Sequence, residues 1–362
     1  MPDSRTIPRM TTTQIDPASP DAVREALAAY LAARHDTRTA QIIEPAAPLG
    51  SGFDSFIYTF RLEGAADERW AAPLVLRLQG KPEQALQVRH EADVQRFLSA
   101  AGYPTPTLLA VEDAANPFGL PFMIMERVPG ATMLARVTSN PLRAGGLLAR
   151  SGMLHAELHR LLGGGWPLDH GTEPIAMRRI ANMRERIASH SFSGLTDGLM
   201  WLERNVHTVM PETAVITHND FHPLNVLMTQ DGELSVIDWS DAALGDRHHD
   251  IARTLTLFSF AYIVASSGVE RFLLKAARGF LRSRYLRGYE GAFPVDRRRL
   301  AYFEALQSLY ALVQLTEMLE DPRPGAAPSD AAVRARKDLP NLVAEIEVYV
   351  RRRIADAERA PA

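Results

Sequence analysis

The chain has 362 residues, of which 46% are hydrophobic and 23% charged, and its formal net charge at pH 7 is −3. The length suits two lobes with separate cores, and the weak net charge excludes a basic footprint for nucleic acid or for a membrane surface. Because there is no cysteine, disulfides, thiolate zinc sites and a cysteine nucleophile are excluded, and we expect a cytoplasmic protein.

The amino-terminal third predicts a β-rich lobe. Residues 1–20 are rich in Pro, Ser and Thr, lack the apolar segment of a signal peptide and are expected to form a disordered leader. Asp21 is expected to cap the helix that follows it, in which apolar residues recur at helical spacing. Residues 41–125 alternate short apolar runs with turns and predict a mostly antiparallel sheet, interrupted by a helix at residues 83–100. We therefore assign residues 21–125 to an N-lobe.

The remainder predicts a helical lobe. Residues 126–130, which end in Pro-Gly, are expected to form the hinge between the lobes, and residues 131–358 a mainly helical C-lobe. The most hydrophobic segment, residues 255–265, is too short to span a bilayer and predicts a buried helix. Helices are predicted at residues 141–162, 173–189, 194–208, 247–265, 268–288, 296–320 and 329–355. The predicted fold class is α+β and bilobal, with a small antiparallel β-rich N-lobe and a larger helical C-lobe.

Residues 214–240 interrupt these helices with the pattern strand, loop, strand, turn, strand. Asp231-Gly232, flanked by alternating apolar residues, predicts the turn of a β-hairpin. With these two residues at the centre of the turn, Asn225 lies opposite Asp238, and the Cβ atoms of such a pair are about 4.5–5.5 Å apart. An amide oxygen and a carboxylate side by side suit a hard cation such as Mg²⁺.

Asp220 precedes this hairpin in a loop constrained by Pro223, from which it can accept a proton from an attacking hydroxyl. The order His-x-Asp-x-x-x-x-Asn, followed by Asp238, supplies the base and the two metal ligands of phosphoryl transfer. The alternative is a polar turn whose His and Asn side chains only bond the backbone. The predicted hairpin and the aspartate after it favour phosphoryl transfer.

The N-lobe contains candidates for the other parts of such a site, which are a loop over the nucleotide phosphates, a cation on a nearby strand and a helix carboxylate that holds the cation. The loop candidates are Gly50, Ser51, Gly52 and Ser55, which lie between two strand-like segments. A Gly-x-Gly pattern by itself is also typical of a plain hairpin turn, and Ser55 stands where a protein-kinase loop has its third glycine.

Arg77 and Glu91 are the candidates for the cation and the carboxylate. Arg77 lies inside an apolar strand, and Glu91 shares the core-facing stripe of the predicted helix with Val94 and Leu98. A carboxylate on that stripe needs a partner, so we expect an Arg77–Glu91 ion pair. The alternative is an exposed glutamate on a solvated face.

Together these motifs resemble the aminoglycoside phosphotransferase family, which includes choline-kinase-like enzymes and has a protein-kinase-like fold. The resemblance covers about residues 40–320. It implies that Asp220 is the catalytic base, assisted by Asn225, and that Asn225 and Asp238 are the magnesium ligands. Ile237-Asp238-Trp239 stands where protein kinases have Asp-Phe-Gly.

Three further segments carry the resemblance. Met125-Glu126-Arg127-Val128 resembles the hinge whose backbone groups bond adenine, so Glu126 and Val128 are candidate nucleotide contacts. Leu158-His159-Arg160-Leu161 resembles the Leu-His-x-Leu end of a family helix. Gly245-Asp246 and Asp250-Ile251-Ala252 resemble the segment that follows the metal-binding aspartate.

Two positions depart from the family pattern. Asn219 replaces the glycine of His-Gly-Asp, and we expect the loop to keep its backbone because asparagine tolerates a left-handed conformation. Arg77 replaces the usual phosphate-binding lysine, and a guanidinium binds phosphate bidentately but is larger. Lys81 is an alternative cation, although it follows the end of the predicted strand.

The expected function is transfer of the γ-phosphate of ATP or GTP, with Mg²⁺, to a hydroxyl of a small molecule. We expect a monomer or homodimer that binds neither nucleic acid nor membrane. One alternative is a non-catalytic, pseudokinase-like nucleotide-binding module, which Arg77 favours and the complete set of Asp220, Asn225 and Asp238 disfavours. A protein kinase is disfavoured because no activation segment with an Ala-Pro-Glu-like end follows Asp238.

The sequence leaves the acceptor open. Carboxylates suit an aminocyclitol or another cation, and aromatic side chains suit choline or a macrolide. The carboxylate candidates are Asp241, Glu317, Glu320 and Asp321, and the aromatic candidates are Trp239, Tyr262, Tyr302 and Tyr310. For both sets the favoured interpretation is structural, as helix-end charges and core aromatics.

The remaining histidines are expected to be structural. His155 and His159 have the i, i+4 spacing that can bind zinc, but HAELH lacks the base position of HExxH. We expect His159 to be buried beneath the catalytic loop and hydrogen-bonded. Asp246 is expected to cap a helix that His248 and His249 open.

Overall fold

The computed structural model describes residues 14–35, 40–51, 55–161, 163–167, 174–189, 193–210, 213–264, 267–320 and 330–360. The chain divides into two compact units. Unit 1 is residues 1–131, 166–168 and 227–240, and unit 2 is residues 132–165, 169–226 and 241–362. Most of the predicted leader lies outside the described residues.

The helices, in chain order, are α1 (Pro20–Arg34), α2 (Ala85–Ala100), α3 (Met133–Ser139), α4 (Ala144–Arg160), α5 (Ile175–Ser189), α6 (Ser193–Asn205), α7 (Arg247–Phe260), α8 (Gly268–Glu290), α9 (Arg297–Glu320) and α10 (Asp330–Arg359). The strands are β1 (Gln41–Ser51), β2 (Ser55–Glu63), β3 (Leu74–Gln79), β4 (Leu108–Glu112), β5 (Phe122–Glu126), β6 (Gly130–Thr132), β7 (Val215–Thr217), β8 (Val226–Thr229), β9 (Leu234–Val236) and β10 (Ala243–Gly245). The predicted helices are present, and α3, β6 and β10 were not predicted.

Unit 1 is built on a five-stranded antiparallel sheet in the order β1-β2-β3-β5-β4. Along the central strand β3, Leu74, Leu76 and Leu78 are fully buried in a core shared with α1. Val75 and Arg77 alternate with these leucines and lie on the opposite face, where Val75 packs against a second cluster that includes a residue of α2. The alternation of side chains along the strand therefore puts Arg77 on the α2 side of the sheet.

The first helix begins earlier than predicted. α1 starts at Pro20, and its N-cap is Ser19, whose hydroxyl accepts a hydrogen bond from the Ala22 N–H at 3.4 Å. Asp21 lies in the first turn instead. The predicted cap at Asp21 was wrong because proline is favoured at the first helical position, which places the cap one residue before it.

The β8–β9 hairpin forms in a register one residue away from the predicted one. The Thr229 N–H donates to the Glu233 carbonyl at 2.9 Å, and the Gly232 N–H donates to the Thr229 carbonyl at 3.3 Å. Thr229 therefore faces Glu233 across a three-residue loop that ends at Gly232, whose φ of 90° is typical of a left-handed bulge residue. The predicted two-residue turn was wrong, and with it the register on which the opposition of Asn225 and Asp238 rested.

Unit 2 is helical apart from β7 and β10, which pair antiparallel. Ile251, Leu255 and Phe258 of α7 are buried, which confirms the predicted buried helix in this region. No helix of the described ranges is long and apolar enough to cross a membrane. An antiparallel sheet in the N-terminal unit and a larger helical unit confirm the predicted α+β class.

The backbones of α4 and α8 approach each other closely. A Cβ atom at Gly152 would lie 2.1 Å from the Tyr285 carbonyl oxygen, and one at Gly288 would lie 1.9 Å from the Ala149 carbonyl oxygen. Each glycine therefore admits the backbone of the other helix. This contact brings polar side chains of the two helices together, among them His155 and Tyr285.

Candidate active site

Asp220, the predicted base, lies in the loop after β7 and is held at both carboxylate oxygens. Oδ1 accepts hydrogen bonds from Arg253 Nε (3.2 Å) and Nη2 (3.1 Å), and Oδ2 accepts one from His222 Nε2 (3.2 Å). Burial raises the pKa of Asp220, but the bond from His222 and the charge of Arg253 outweigh it and hold the pKa well below its ordinary value. The side chain is 26% exposed. Asp220 is therefore an ionised carboxylate that a ligand can reach.

Asn225 packs beneath Asp220. Its Nδ2 donates to the backbone carbonyl of Asp220 at 3.1 Å and lies 3.4 Å from Asp220 Oδ2. Among the described residues, no group donates a hydrogen bond to Asn225 Oδ1. The amide is therefore oriented by its nitrogen, and its oxygen is available to a cation.

The backbone before Asp220 is fixed by Asp250, a buried residue of α7. Asp250 Oδ1 accepts a hydrogen bond from the Asn219 N–H at 2.8 Å, and Oδ2 accepts one from the His218 N–H at 2.6 Å. Burial raises the pKa of Asp250, but the charge and hydrogen bond of His155 lead the opposing effects and bring the pKa well below its ordinary value. An ionised buried carboxylate thus holds the two residues that precede Asp220.

His155 and His159 complete a buried hydrogen-bond network around Asp250. Their Nε2 atoms lie 2.9 and 3.3 Å from Asp250 Oδ2, and their Nδ1 atoms lie 2.5 and 2.6 Å from the hydroxyl oxygens of Tyr285 and Tyr289. The three potential ligand atoms lie within 4.8 Å of one another, but every ring nitrogen already has a protein partner. Burial lowers the pKa of His159 to about 4, so the ring is neutral. The predicted burial of His159 beneath the loop is confirmed.

Asn219 has the left-handed backbone expected at this position, with φ of 62°. Its Nδ2 donates to Thr217 Oγ1 (3.0 Å) and to the Asp241 carbonyl (2.9 Å), and its Oδ1 accepts from His249 Nδ1 (3.1 Å). Asparagine therefore keeps the conformation that glycine would adopt and adds three contacts that glycine cannot make.

The start of α7 is also as predicted. Asp246 is the N-cap, and its Oδ1 accepts from the His248 N–H at 2.7 Å. Burial raises the pKa of Asp246, but the His248 hydrogen bond and the charges of His248 and Arg299 outweigh burial and lower the pKa to about 2. The helix that carries Asp250 is therefore firmly capped.

In unit 1, Arg77 binds three partners. Its Nη1 forms the predicted ion pair with buried Glu91, its Nε donates to Ser55 Oγ at 3.3 Å, and its Nη2 lies 3.3 Å from Asp238 Oδ1. Asp238 Oδ1 also accepts from Ser240 Oγ at 2.9 Å. The Arg77–Glu91 pair is thus confirmed, and the contact of Arg77 with Asp238 was not predicted.

Asp238 has two features suited to a metal ligand. Its φ of 67° is a left-handed conformation, which a non-glycine residue adopts only where the surroundings fix it. Its side chain is 37% exposed, and no described residue donates a hydrogen bond to Oδ2. Oδ2 of Asp238 in unit 1 and Oδ1 of Asn225 in unit 2 are each a hard oxygen donor of the kind that Mg²⁺ prefers, so each residue by itself fits the ligand role that the sequence predicts.

The predicted phosphate loop is described only at its edges. Gly50 and Ser51 end β1, where they pair with Ile57 and Phe56 of β2. Gly52 lies outside the described residues. Ser55 is buried at the start of β2 and accepts the hydrogen bond from Arg77.

The predicted hinge follows β5. The Glu126 N–H donates to the Thr107 carbonyl at 2.9 Å, and the Arg127 N–H donates to the Pro73 carbonyl at 2.8 Å. The N–H of Val128 has no acceptor among the described residues. This pattern leaves the Val128 amide as a donor for a ligand.

The residues suggested to contact the acceptor divide into core, exposed and undescribed positions. The four aromatic side chains are buried, as the favoured structural interpretation required. Their polar ends bond Thr105 (Trp239), Glu345 (Tyr262), the Leu202 carbonyl (Tyr302) and Arg179 (Tyr310). Asp241 is exposed. The side chains of Glu317 and Glu320, and all of Asp321, lie outside the described part of the chain.

Sequence reasoning missed Arg253 and the role of His222. The one available signal was that Arg253 follows Asp250 at the i, i+3 spacing of a helix, which puts both on one face of α7. That face meets the loop of Asp220. No spacing pattern indicated that a guanidinium would bond the predicted base.

Comparison with known proteins identifies relatives of this fold. A model of the phosphotransferase enzyme family matches residues 45–303, and no curated protein sequence matches the chain. A putative aminoglycoside phosphotransferase from Ralstonia eutropha JMP134 has 17% identity and a TM-score of 0.63, over 91% of this chain and 98% of that one. A choline/ethanolamine kinase family protein from Mesorhizobium loti has 19% identity and a TM-score of 0.61, over 93% and 99%.

An amicoumacin kinase in complex with AMP-PNP and Ca²⁺ is also similar, with 17% identity and a TM-score of 0.58, over 88% of this chain and 95% of that one. These three proteins share their fold with this chain over most of its length. The predicted protein-kinase-like fold is thereby confirmed.

Proposed function

The chain belongs to the phosphotransferase enzyme family, and from that premise we propose that it transfers the γ-phosphate of ATP or GTP to a hydroxyl group of a small molecule. The observation that carries this proposal is the state of Asp220. It is ionised, partly exposed and held at both oxygens, on a loop whose backbone Asp250 fixes. Such a carboxylate can orient an alcohol for in-line attack.

The proposed step conserves atoms and charge. The acceptor oxygen forms a bond to the γ-phosphorus while the bond from that phosphorus to the β,γ-bridging oxygen breaks, and the nucleoside diphosphate leaves. The hydroxyl proton passes to Asp220 and then to solvent. Because the pKa of Asp220 is low, this residue orients the hydroxyl first and takes the proton only as the new O–P bond forms.

The nucleotide contacts are assigned to unit 1. Arg77 is proposed to bind the phosphates, and Glu91 to position Arg77 through their ion pair. Backbone groups of Glu126 and Val128 are proposed to bond the adenine. The loop candidates Gly50, Ser51, Gly52 and Ser55 are proposed to cover the phosphates.

Asn225 and Asp238 are proposed to hold Mg²⁺ through the two oxygens that accept no hydrogen bond from described residues. When bound, the ion would offset the negative charge of the phosphate oxygens. The similar amicoumacin kinase was solved with a nucleotide analogue and Ca²⁺, which supports a divalent metal in this fold.

A small acceptor is favoured over a protein substrate. Only residues 239–246 lie between Asp238 and the start of α7, and they include β10 and the helix cap. This stretch is too short for the activation segment with which protein kinases bind peptides.

The alternative of a nucleotide-binding module without catalysis is favoured by Arg77 in the lysine position. The two functions differ in turnover. Nucleotide affinity measured with and without Mg²⁺, beside nucleotide consumption, separates them.

The direct test is a nucleotide-consumption screen against hydroxylated metabolites and antibiotics, with Asp220→Ala as the blank. We expect at least one acceptor to be phosphorylated by the wild-type protein. We expect Asp220→Ala to lower turnover by roughly 10²–10⁴-fold, the usual contribution of a positioned acid–base group, without loss of nucleotide binding. Unchanged turnover in Asp220→Ala would disprove the mechanism.

A further inference from the structure

Arg253 bonds the proposed base, and both side chains are partly exposed. From this arrangement, and resting on the proposed phosphotransfer, we infer that the acceptor is an anionic alcohol. Its carboxylate or other oxyanion would bind the guanidinium of Arg253 while its hydroxyl binds Asp220. The class that fits is an α- or β-hydroxy acid, not a polycationic aminoglycoside or choline.

The hydrogen bonding of Arg253 is incomplete. Its Nε and Nη2 both donate to Asp220 Oδ1, at 3.2 and 3.1 Å. Its Nη1 donates to no group of the described residues, and its side chain is 20% exposed. A guanidinium has five N–H donors in a fixed plane, which match an oxyanion bidentately. The unused donors therefore lie beside the carboxylate that orients the reacting hydroxyl.

Arg179 on α5 adds a second positive charge to this region. It donates to the Tyr310 hydroxyl, and its Cζ lies 4.0 Å from the centre of the Tyr310 ring, so its side chain is held in place. Burial lowers the pKa of Arg179. The charges of Tyr310 and Asp241 oppose that effect, and the charge of Arg253 adds to it. The two guanidiniums therefore repel each other, and a bound anion would relieve that repulsion.

His249 lies on the buried side of this region. Burial, followed by the charge of Arg179 and the weaker effect of Arg253, lowers the pKa of His249 to about 4. His249 is therefore neutral, and no titrating cation there competes for the anion. Asp220 accepts hydrogen bonds from Arg253 and His222, and Asp241 opposes the lowering of the Arg179 pKa. Asp246 and Asp250 lie on the buried side, where other protein groups already donate to them.

The features that would select a cation are occupied by the protein. Tyr310 already stacks with Arg179, and the polar ends of Tyr262 and Tyr302 are bonded within the core. An ammonium group on the carbon next to the reacting hydroxyl would instead lie against the Arg253 guanidinium, where like charges repel. The described residues therefore favour an anion at this position.

The position of the anion follows from the Arg253–Asp220 contact. The acceptor oxygen must lie within hydrogen-bond distance of Asp220, and the oxyanion within hydrogen-bond distance of Arg253. Because Arg253 and Asp220 themselves are in contact, the two acceptor groups must be on the same or neighbouring carbons. An α- or β-hydroxy acid meets this requirement, and the transferred phosphate would end beside the carboxylate.

The test uses matched acceptors that differ only in charge. Two sets are suitable: gluconate, sorbitol and glucamine, and glycerate, glycerol and 3-aminopropane-1,2-diol. They are assayed for phosphate-ester formation together with a wider screen of hydroxy acids, neutral polyols and aminoglycosides. We expect the anionic class to contain the acceptors with the highest kcat/KM, with the carboxylate favoured over its neutral analogue by about tenfold or more.

Variants of Arg253 and Arg179 then test whether these two residues cause the preference for the anionic acceptor. Arg253→Met is expected to lower kcat for every acceptor because it frees Asp220, and also to raise KM for the acid alone, so that the acid-to-neutral KM ratio approaches one. Arg253→Lys keeps the charge and is expected to retain part of the ratio. Arg179→Met, which does not touch Asp220, is expected to reduce the ratio with a smaller loss of kcat.

Arg184→Met is the matched control. Arg184 lies on the same helix as Arg179 but pairs with Glu203 at 2.8 Å, so its loss should leave the KM ratio unchanged. If Arg253→Met does not fold, Arg253→Lys and Arg179→Met still report on the ratio.

The outcomes separate this inference from the function on which it rests. Turnover that is best with cationic or neutral acceptors, or an acid preference that survives both Arg253→Met and Arg179→Met, overturns the inference and leaves the phosphotransferase intact. Absence of turnover with every charge class, despite nucleotide binding, overturns both.

Discussion

Asn219 and Asp238 are the two described residues other than glycine that have a positive φ, at 62° and 67°. A left-handed conformation costs a residue with a Cβ about 1–2 kcal/mol, so it persists only where surrounding contacts impose it. At Asn219 the contacts are one backbone bond to Asp250 and three side-chain bonds. The strain lies at the residue beside the proposed base and at the proposed metal ligand.

Two substitutions of Asn219 separate backbone strain from side-chain contacts. Asn219→Gly removes the three side-chain bonds but accepts the left-handed backbone, whereas Asn219→Ala removes the bonds and keeps the strain. We expect alanine to lower the free energy of unfolding by about 1 kcal/mol more than glycine. Urea denaturation measures the difference. Equal losses in the two variants would show that the backbone of residue 219 is not strained.

At the scale of elements, the proposed site depends on how helices pack behind it. α4 supplies His155 and His159, α7 supplies Asp250 and Arg253, and α8 supplies the tyrosines that bond the histidines. The α4–α8 contact is set by Gly152 and Gly288, which face each other's helix backbone. The position of the catalytic loop is therefore coupled to small residues that never touch it.

Gly288→Ala tests this coupling, with Gly279→Ala on the same helix as its control. A Cβ at residue 288 would overlap the Ala149 carbonyl, whereas a Cβ at residue 279 has nothing within 4 Å. We expect Gly288→Ala to lower the free energy of unfolding by about 1–3 kcal/mol or more and to reduce turnover. Gly279→Ala should be neutral or stabilising by up to about 1 kcal/mol, because alanine favours helix. Thermal unfolding and nucleotide consumption measure both effects.

A buried cluster of charged side chains joins the carboxyl-terminal helix α10 to α8 and α9. Glu304 of α9 is 1% exposed and binds Arg282 of α8 at 2.5 Å, Arg353 of α10 at 3.1 Å and the Tyr349 hydroxyl at 2.9 Å. One carboxylate therefore compensates two largely buried guanidiniums. Such a cluster is sensitive to the loss of a single member.

Glu304→Gln is expected to destabilise the protein by about 3–5 kcal/mol, because it leaves two guanidiniums without their counter-charge. Arg351→Gln is the control: its exposed ion pair with Glu347, at 3.4 Å, should be worth less than about 1 kcal/mol. Denaturant unfolding compares the two. A small effect of Glu304→Gln would mean that water or relaxation compensates the arginines.

At the scale of the whole molecule, unit 2 buries histidines in the neutral form. Burial is the largest effect that lowers the pKa of His159 and of His249 to about 4, from an ordinary value near 6.5. Between these values the unfolded chain binds protons that the folded chain does not. The contribution of these two histidines to the free energy of unfolding is therefore fully present above pH 6.5 and decreases as the pH falls towards 4.

We expect the free energy of unfolding to decrease between pH 7 and pH 4.5, by on the order of 3 kcal/mol for each of His159 and His249 at the lower limit. Asp246 and Asp250, whose pKa values are lowered, extend the loss to more acidic pH. Denaturant titrations at several pH values give the slope. His159→Gln should reduce it, and a flat profile from pH 7 to 5 would contradict the neutral, buried assignment.

Much of the molecule follows from local patterns. The sequence placed Arg77 inside an apolar strand, and the i, i+3, i+7 stripe of α2 predicted that Glu91 needs a partner, so their ion pair was predictable. Helix periodicity located the helices of unit 2, and the chemistry of asparagine predicted the conformation of Asn219. Two errors were also local: proline moved the first cap to Ser19, and a glycine bulge shifted the hairpin register.

What the sequence by itself determined is the set of elements and the chemical groups, because periodicity, caps and motif spacing act over a few residues. Only the tertiary structure decided which distant groups meet. Three contacts join residues that are far apart in the chain: Arg253 bonds Asp220, Asp250 bonds the backbone of the Asp220 loop, and Glu304 pairs with two arginines. Such pairings depend on how helices pack, and the close approach of α4 and α8 at two glycines has no signature in spacing. The proposed phosphotransfer can therefore be predicted from the sequence, whereas the proposed selectivity for an anionic acceptor follows only from the tertiary structure.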